Sequence, residues 1–224
     1  MSITGNNGTI TIDENASITN NKAIDRTNFG VGVGVELQGK VDEFLMNGNI
    51  STNAAGIYVK DGQQIGKIII GENASSIAKN DGRNGLHIRE SKVSNIDNKG
   101  TLGGGSGVWV SASKVDTINN EGIIEGKGTF GGLGIGDNQQ GVDSEVVSIT
   151  NSGTITGTNA GIHIRHGSKV GTITNAGAGA YISKIQIMKT NRGSPVVDSI
   201  VNENGGKIDI IENNGGTISK DISI

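Results

Sequence analysis

The chain has 224 residues, of which 38 are Gly, one is Pro and none is Cys, with a formal net charge of −3. Without Cys there are no disulfides and no thiolate metal site, and a small net charge with no long charge run argues against nucleic acid or an anionic membrane as the main partner. Hydrophobic residues make up 33% and aromatic ones 3%, too few large side chains for a thick, rounded core. Such a composition also suits disorder, but 33 Ile against 5 Leu oppose it. β-Branched residues suit strands, whereas Leu is the usual helix-core residue. The 25 Asn, with Gly, supply residues that tolerate the positive φ of tight turns.

At the N-terminus, "MSITGNNGTI" lacks the basic start and apolar run of a signal peptide. No stretch of the chain nears the roughly 18 apolar residues of a membrane helix. The segment "ITGNNGTITIDENASITN" reads as the middle of a rod, which suggests a piece cut from a longer protein. From residue 41 one phrase recurs: apolar-x-x-apolar-x-Asn-x-Gly. It begins weakly at Val41/Phe44/Met46/Gly48, and Ile65/Ile68/Ile70 keeps only the apolar part. Full copies follow at Val93/Ile96/Asn98/Gly100, Val115/Ile118/Asn120/Gly122, Val146/Ile149/Asn151/Gly153 and Val170/Ile173/Asn175/Gly177. Val197/Ile200/Asn202 ends the series with Asn204 in place of Gly. The second apolar position recurs every 22–31 residues. Between these copies runs a second phrase, Gly-apolar-x-apolar, starting at Gly56, Gly85, Gly107, Gly132 and Gly161. The only Pro, Pro195, falls in the irregular "MKTNRGSPV". Ile208/Ile211/Asn213/Gly215 repeats the first phrase too soon for a full coil, so it lies on a different face or in a distorted last coil.

Units of this size with short strands cannot bury their own apolar faces; stacking them does. The expected fold is all-β: a parallel β-helix (β-solenoid) of roughly nine coils of about 22–31 residues, with a right-handed coil as the expectation. Residues 1–224 form a single solenoid segment. At about 4.8 Å per stacked strand, the rod is about 40 Å long. Asn at the corner is placed to form a side-chain ladder along it.

The chain offers little chemistry. The outward residues after the first apolar anchor run Asp42, Gly66, Ser94, Asp116, Val147, Gly171, Asp198, so no two adjacent coils both carry Asp. A glycosidase or lyase needs convergent carboxylates or a calcium-binding acidic cluster. "GGLGIGD" at 131–137 is near a calcium turn, but its Asp comes one place late. Thr9/Thr11, Thr154/Thr156 and Thr172/Thr174 have the Thr-x-Thr spacing of ice-binding solenoids, yet the last two pairs flank a corner and form no single flat array. With three His and no Cys, no metal site or cofactor is expected, and no catalytic residue is assigned. What remains is the alternation of the second phrase, which turns every other residue outward. Aligning the coils gives an outward column of Tyr58, His87, Trp109, Gly134 and His163, and two residues on a column of Lys60, Arg89, Ser111, Gly136 and Arg165. Exposed rings stacking between coils would explain the first column structurally. The alternative is a ligand-binding surface of Tyr58, His87, Trp109 and His163 flanked by Lys60, Arg89 and Arg165, since rings and Arg are enriched at contact sites.

The stretches "GTITIDENASIT", "VSITNSGTITG" and "VGTITNAGAGA" resemble the passenger domains of bacterial type V autotransporters. The resemblance rests on Ile-x-Asn-x-Gly-x-Ile phrases, richness in Gly, Asn, Ser and Thr, the near-absence of Pro and the absence of Cys. It implies a secreted or outer-surface location, reached through an outer-membrane barrel this chain does not contain, and roles in adhesion or virulence. On that footing the segment is expected to be non-catalytic and structural or binding. Its partner would be a host-cell surface protein or glycan, with no nucleic acid and no membrane insertion by the segment itself. The alternative is a polysaccharide-active β-helix enzyme, a lyase or glycoside hydrolase.

Overall fold

A computed structural model of the chain describes residues 1–22, 32–60, 62–136 and 141–224. Among these residues there are 27 strands and no helix. The strands stack into three parallel sheets that the chain visits in rotation. The first sheet has nine strands: Ser2–Thr4, Val35–Gln38, Ile57–Val59, Asn84–Arg89, Ser106–Ser111, Leu133–Gly136, Ile162–Arg165, Ile185–Met188 and Ile211–Asn214. The second runs from Asn7–Ile12 to Thr217–Ile218, with Ile222–Ser223 also paired to Val196–Glu203. The third has eight short strands, from Ser17–Asn20 to Lys207–Ile208. This is the parallel β-solenoid that the repeat predicts. The coil count is slightly below nine, because the third sheet supplies only eight strands and its last two have two residues each.

The register follows the repeat. Phe44, Ile68, Ile96, Ile118, Ile149, Ile173 and Ile200 pair in succession along the second sheet. All seven are fully buried. Ile10 precedes them and Ile222 follows, positions that the sequence phrase is too eroded to mark. Two outward residues separate the inward pair of each strand, as Ser94 and Asn95 separate Val93 from Ile96, so strict alternation is broken and the strand bends around the core. The first sheet adds inward pairs such as Leu86/Ile88, Val108/Val110 and Ile162/Ile164, and the third adds Ile50, Leu102, Ile124 and Ile155, all without exposure. The early C-terminal copy of the phrase is also explained. Ile208 pairs with Ile182 on the third sheet, and Ile211 with Ile185 on the first, so the copy lies on different faces.

Two ladders of polar side chains close the corners. Between the second and third sheets, Asn98 Nδ2 donates to Asn120 Oδ1, Asn120 to Asn151, Asn151 to Asn175 and Asn175 to Asn202, each at 2.7 Å. Each amide nitrogen from Asn98 to Asn151 also faces the carbonyl of the corner glycine, Gly100, Gly122 or Gly153, which fixes the orientation of the amide. Those glycines are needed for close approach rather than for positive φ. A Cβ on Gly122 would lie 2.2 Å from Gly100 O, and one on Gly153 2.2 Å from Gly122 O. The Asn ladder starts at Asn98 because its register partner on the preceding coil is Ile70, which leaves Asn98 Oδ1 buried without a donor. Between the first and second sheets, the backbone N–H groups of Ser91, Ser113 and Ser144 donate to the hydroxyls of Ser113, Ser144 and Ser168 on the next coil, at 3.1–3.4 Å. Each of these serines stands two residues before the first inward Val of the repeat, with Lys between them at Ser91, Ser113 and Ser168 and Glu145 after Ser144, and all are buried.

Candidate ligand-binding face

The outer face of the first sheet carries the column that the sequence alignment predicts, in the expected register. Glu36 pairs with Tyr58, Tyr58 with His87, His87 with Trp109, Trp109 with Gly134 and Gly134 with His163. Gln186 and Glu212 continue it. The expected exposure does not hold along its length. Tyr58 and His163 are each only 3% exposed, and His87, Trp109, Arg89 and Arg165 are half-buried. The physical reason is a second, outer layer. Tyr58 packs in a small apolar cluster with Val33, Ala54 and Ala55, outside the main core. Only Lys60 is well exposed, and its Nζ lies 3.5 Å from Glu36 Oε1.

Around Trp109 the layer is built from rings and missing side chains. Phe130, on the connection from Ile123–Gly126 to Leu133–Gly136, stacks on the indole with centroids 4.7 Å apart and planes 26° apart. The indole lies over the next coil's Gly134 and Gly136. A Cβ on Gly134 would meet Trp109 Cε3 at 2.3 Å, and one on Gly136 would meet Cη2 at 2.8 Å. The two glycines are thus a floor for the indole and Phe130 its lid. Arg165 sets its guanidinium carbon 4.8 Å from the centre of the Phe130 ring, within cation–π range. The His163 ring lies 6.3 Å from Phe130. Sequence alignment missed Phe130 because it is on a loop and outside the strand phrase. Its signal is a lone ring among glycines in "KGTFGG", one coil after the only Trp.

Both histidines of the column are neutral at pH 7. Burial, then the nearby Arg89 and Arg83, push His87 down to about 3. Burial, then Arg165, push His163 down to about 4, against the opposing pull of the Thr129 carbonyl. His163 Nδ1 lies 3.3 Å from Thr129 O, so it carries the proton, and Nε2 is left as a buried acceptor with no partner. His87 Nε2 is likewise buried and unpartnered, under a Tyr58 ring 5.3 Å away. The charged flank is engaged within the chain. Arg89 Nε donates to Glu90 Oε1 at 3.3 Å. Arg165 Nε donates to His166 Nε2 at 2.6 Å, and His166 Nδ1 in turn meets Thr190 Oγ1 at 2.7 Å.

No protein-family model matches the chain, and no curated protein or solved structure is significantly similar to it.

The other sequence features fall into place on the fold. Leu133 and Ile135 of "GGLGIGD" face the core from a first-sheet strand; Asp137 lies outside the described residues. Thr172/Thr174 and Thr9/Thr11 are on the second sheet and Thr154/Thr156 on the third. Among the described residues no three His, Asp or Glu come close enough to hold a metal ion. Asp97 and Glu121, carboxylates on adjacent coils, are each paired with a lysine: Lys67 at 2.7 Å and Lys99 at 3.9 Å.

Proposed function

We propose that this rod is a non-catalytic structural and binding segment of a secreted or surface-displayed bacterial protein of the autotransporter kind. The outer face of its first sheet meets a host-cell surface protein or glycan. The observation that carries the reading is the cluster of Trp109, Phe130 and Arg165 on that face. A flat ring stack edged by guanidinium offers apolar area, charge and donors without a cleft, which suits a rod whose interior is filled with Ile and Val. Because both faces of the indole are covered, the contacting groups are Phe130 and Arg165, with Lys60 and Arg89 extending the basic flank. Trp109 is the support that holds Phe130 in place.

The test is attachment of the purified protein to host cells and to a glycan array. Phe130→Ala and Arg165→Ala should each weaken attachment several-fold with a melting temperature within a few degrees of the parent. Undiminished attachment by both variants would overturn the reading and leave the cluster a purely structural stack.

A further inference from the structure

A second surface, remote from the ring cluster, has the character of a site. Where the second sheet turns into the third, Asp97, Lys99, Asn119, Glu121, Thr150 and Ser152 line an open depression of about 440 Å³ spanning three coils. That volume is within the range of sites for small ligands. These residues hold equivalent places in successive coils, since Asp97 pairs with Asn119 and Asn119 with Thr150. The depression is therefore a groove running along the rod, with Asn120 of the ladder also in its lining.

Its chemistry is polar and balanced. Asp97 accepts from Lys67 Nζ at 2.7 Å, Asn119 Nδ2 at 2.8 Å and Asn95 Nδ2 at 3.0 Å. This network fixes the carboxylate and holds its pKa below the usual range, although burial acts the other way. Lys67 offsets Asp97 and Lys99 offsets Glu121. A groove without net charge holds a divalent cation or a polyanion poorly. Asn119 uses its Nδ2 on Asp97 and Asn95, which leaves its carbonyl oxygen to accept from outside. Thr150 and Ser152 present exposed hydroxyls. A fixed carboxylate, an amide and hydroxyls in one neutral trough are the groups that pair with vicinal hydroxyls.

We infer that this groove binds an uncharged, extended polysaccharide lying parallel to the rod axis. The spacing of about 4.8 Å between coils is close to the rise of one sugar unit in an extended β-linked chain, so successive sugars would meet successive coils. Asp97 and Asn119 would hold the first units, and Thr150 and Ser152 the next. The inference is independent of the ring cluster on the first sheet.

The experiment is an amide-resolved NMR titration of the full chain with neutral β-linked hexasaccharides of glucose, xylose and mannose, and with a sulfated hexasaccharide. At least one neutral probe should shift amides at 97–99, 119–121 and 150–152 at millimolar concentration, while the sulfated probe leaves them in place. Asp97→Ala and Thr150→Ala should each weaken that binding about tenfold, the loss expected of one hydrogen bond to a ligand. Thr150→Ala touches no bond within the chain and guards against misfolding of the Asp97 variant. Trp109→Ala should bind as the parent does. Silence with every neutral probe, shifts confined to the first sheet, or unchanged affinity in Thr150→Ala and a folded Asp97→Ala would overturn the inference. Loss of host-cell attachment in Phe130→Ala bears only on the other face.

Discussion

At the scale of single residues, the outer layer of the first sheet is decided by what Gly134 and Gly136 lack. Gly134→Ala forces the indole of Trp109 off its floor, an overpacking cost of about 1–3 kcal/mol. In a Trp109→Ala background the same substitution should cost less, leaving only the close approach of the new Cβ to Phe130 O at 3.0 Å. Trp109 is the only Trp, so its emission reports the event directly: Gly134→Ala should shift it to the red as the ring meets water. An unshifted spectrum with parental stability would mean that the indole lies elsewhere. The two column histidines make the second residue-scale prediction. Their folded pKa values, about 3 for His87 and about 4 for His163, lie below the unfolded value of about 6.5. The unfolded chain therefore takes up protons first as pH falls. Their contribution is complete above about pH 6.5 and is lost at about 1.4 kcal/mol per pH unit for each histidine as pH drops toward those values. Melting temperature should fall between pH 7 and pH 5, above the range where the carboxylates titrate, and His163→Phe should halve that fall. An equal fall in the variant would show that other groups govern it.

At the scale of elements, the corner ladders link strand to strand and turn the repeat into a register. Asn120→Ala removes the donor to Asn151 Oδ1 and one acceptor of Asn98 Nδ2, stranding Asn151 Oδ1 in the interior. Asn98 Nδ2 keeps the carbonyls of Gly100 and Ile123, so the atom left unsatisfied is Asn151 Oδ1, and the cost should be about 1–3 kcal/mol. Asn202→Ala, at the half-exposed end of the ladder, should cost clearly less, and chemical denaturation of the two variants side by side measures the difference. Much of this was legible in the sequence, because the inward apolar positions recur from coil to coil and the corner Asn recurs from Asn98 to Asn202. The third sheet was less legible. Its strands are only two to four residues long and offer at most one large inward apolar residue each, with Ser76 in that place in one of them, too little for a pattern of its own. The role of Ser91, Ser113, Ser144 and Ser168 was hidden for another reason: a small polar residue at a corner looks like turn chemistry, and its buried bond to the next coil depends on the stacking. Of the candidate face, alternation gave the column of Tyr58, His87, Trp109 and His163. It could not give the burial, because Val33, Ala54, Ala55 and Phe130 reach that face from loops whose paths follow no period.

At the scale of the whole molecule, every coil touches only its neighbours, so stability is a sum of local terms along one axis. Amide exchange should be slowest in the second-sheet strands Lys92–Asn98 to Glu145–Asn151, covered on both sides. It should be fastest beyond residue 203, where inward Ile208, Ile211 and Ile218 are only partly buried. Uniform protection from end to end would contradict this gradient. The Asn ladder has one more consequence, for how such a chain can be edited. Asn98 and Asn120 hold the same place in successive coils, so excising residues 99–120 removes one coil with the core and the Asn ladder kept in register, and takes Trp109 and its stack on Phe130 with it. The neighbours then meet Val93, Ile96 and Asn98 where they met the identical Val115, Ile118 and Asn120. The shortened protein should still melt in one cooperative step, whereas excision of 99–121 deletes the residue between Asn and Gly, spoils the corner and should not. Length is thus a free variable for this molecule, adjustable in whole coils by duplication or loss of gene segments, while its cross-section stays the same.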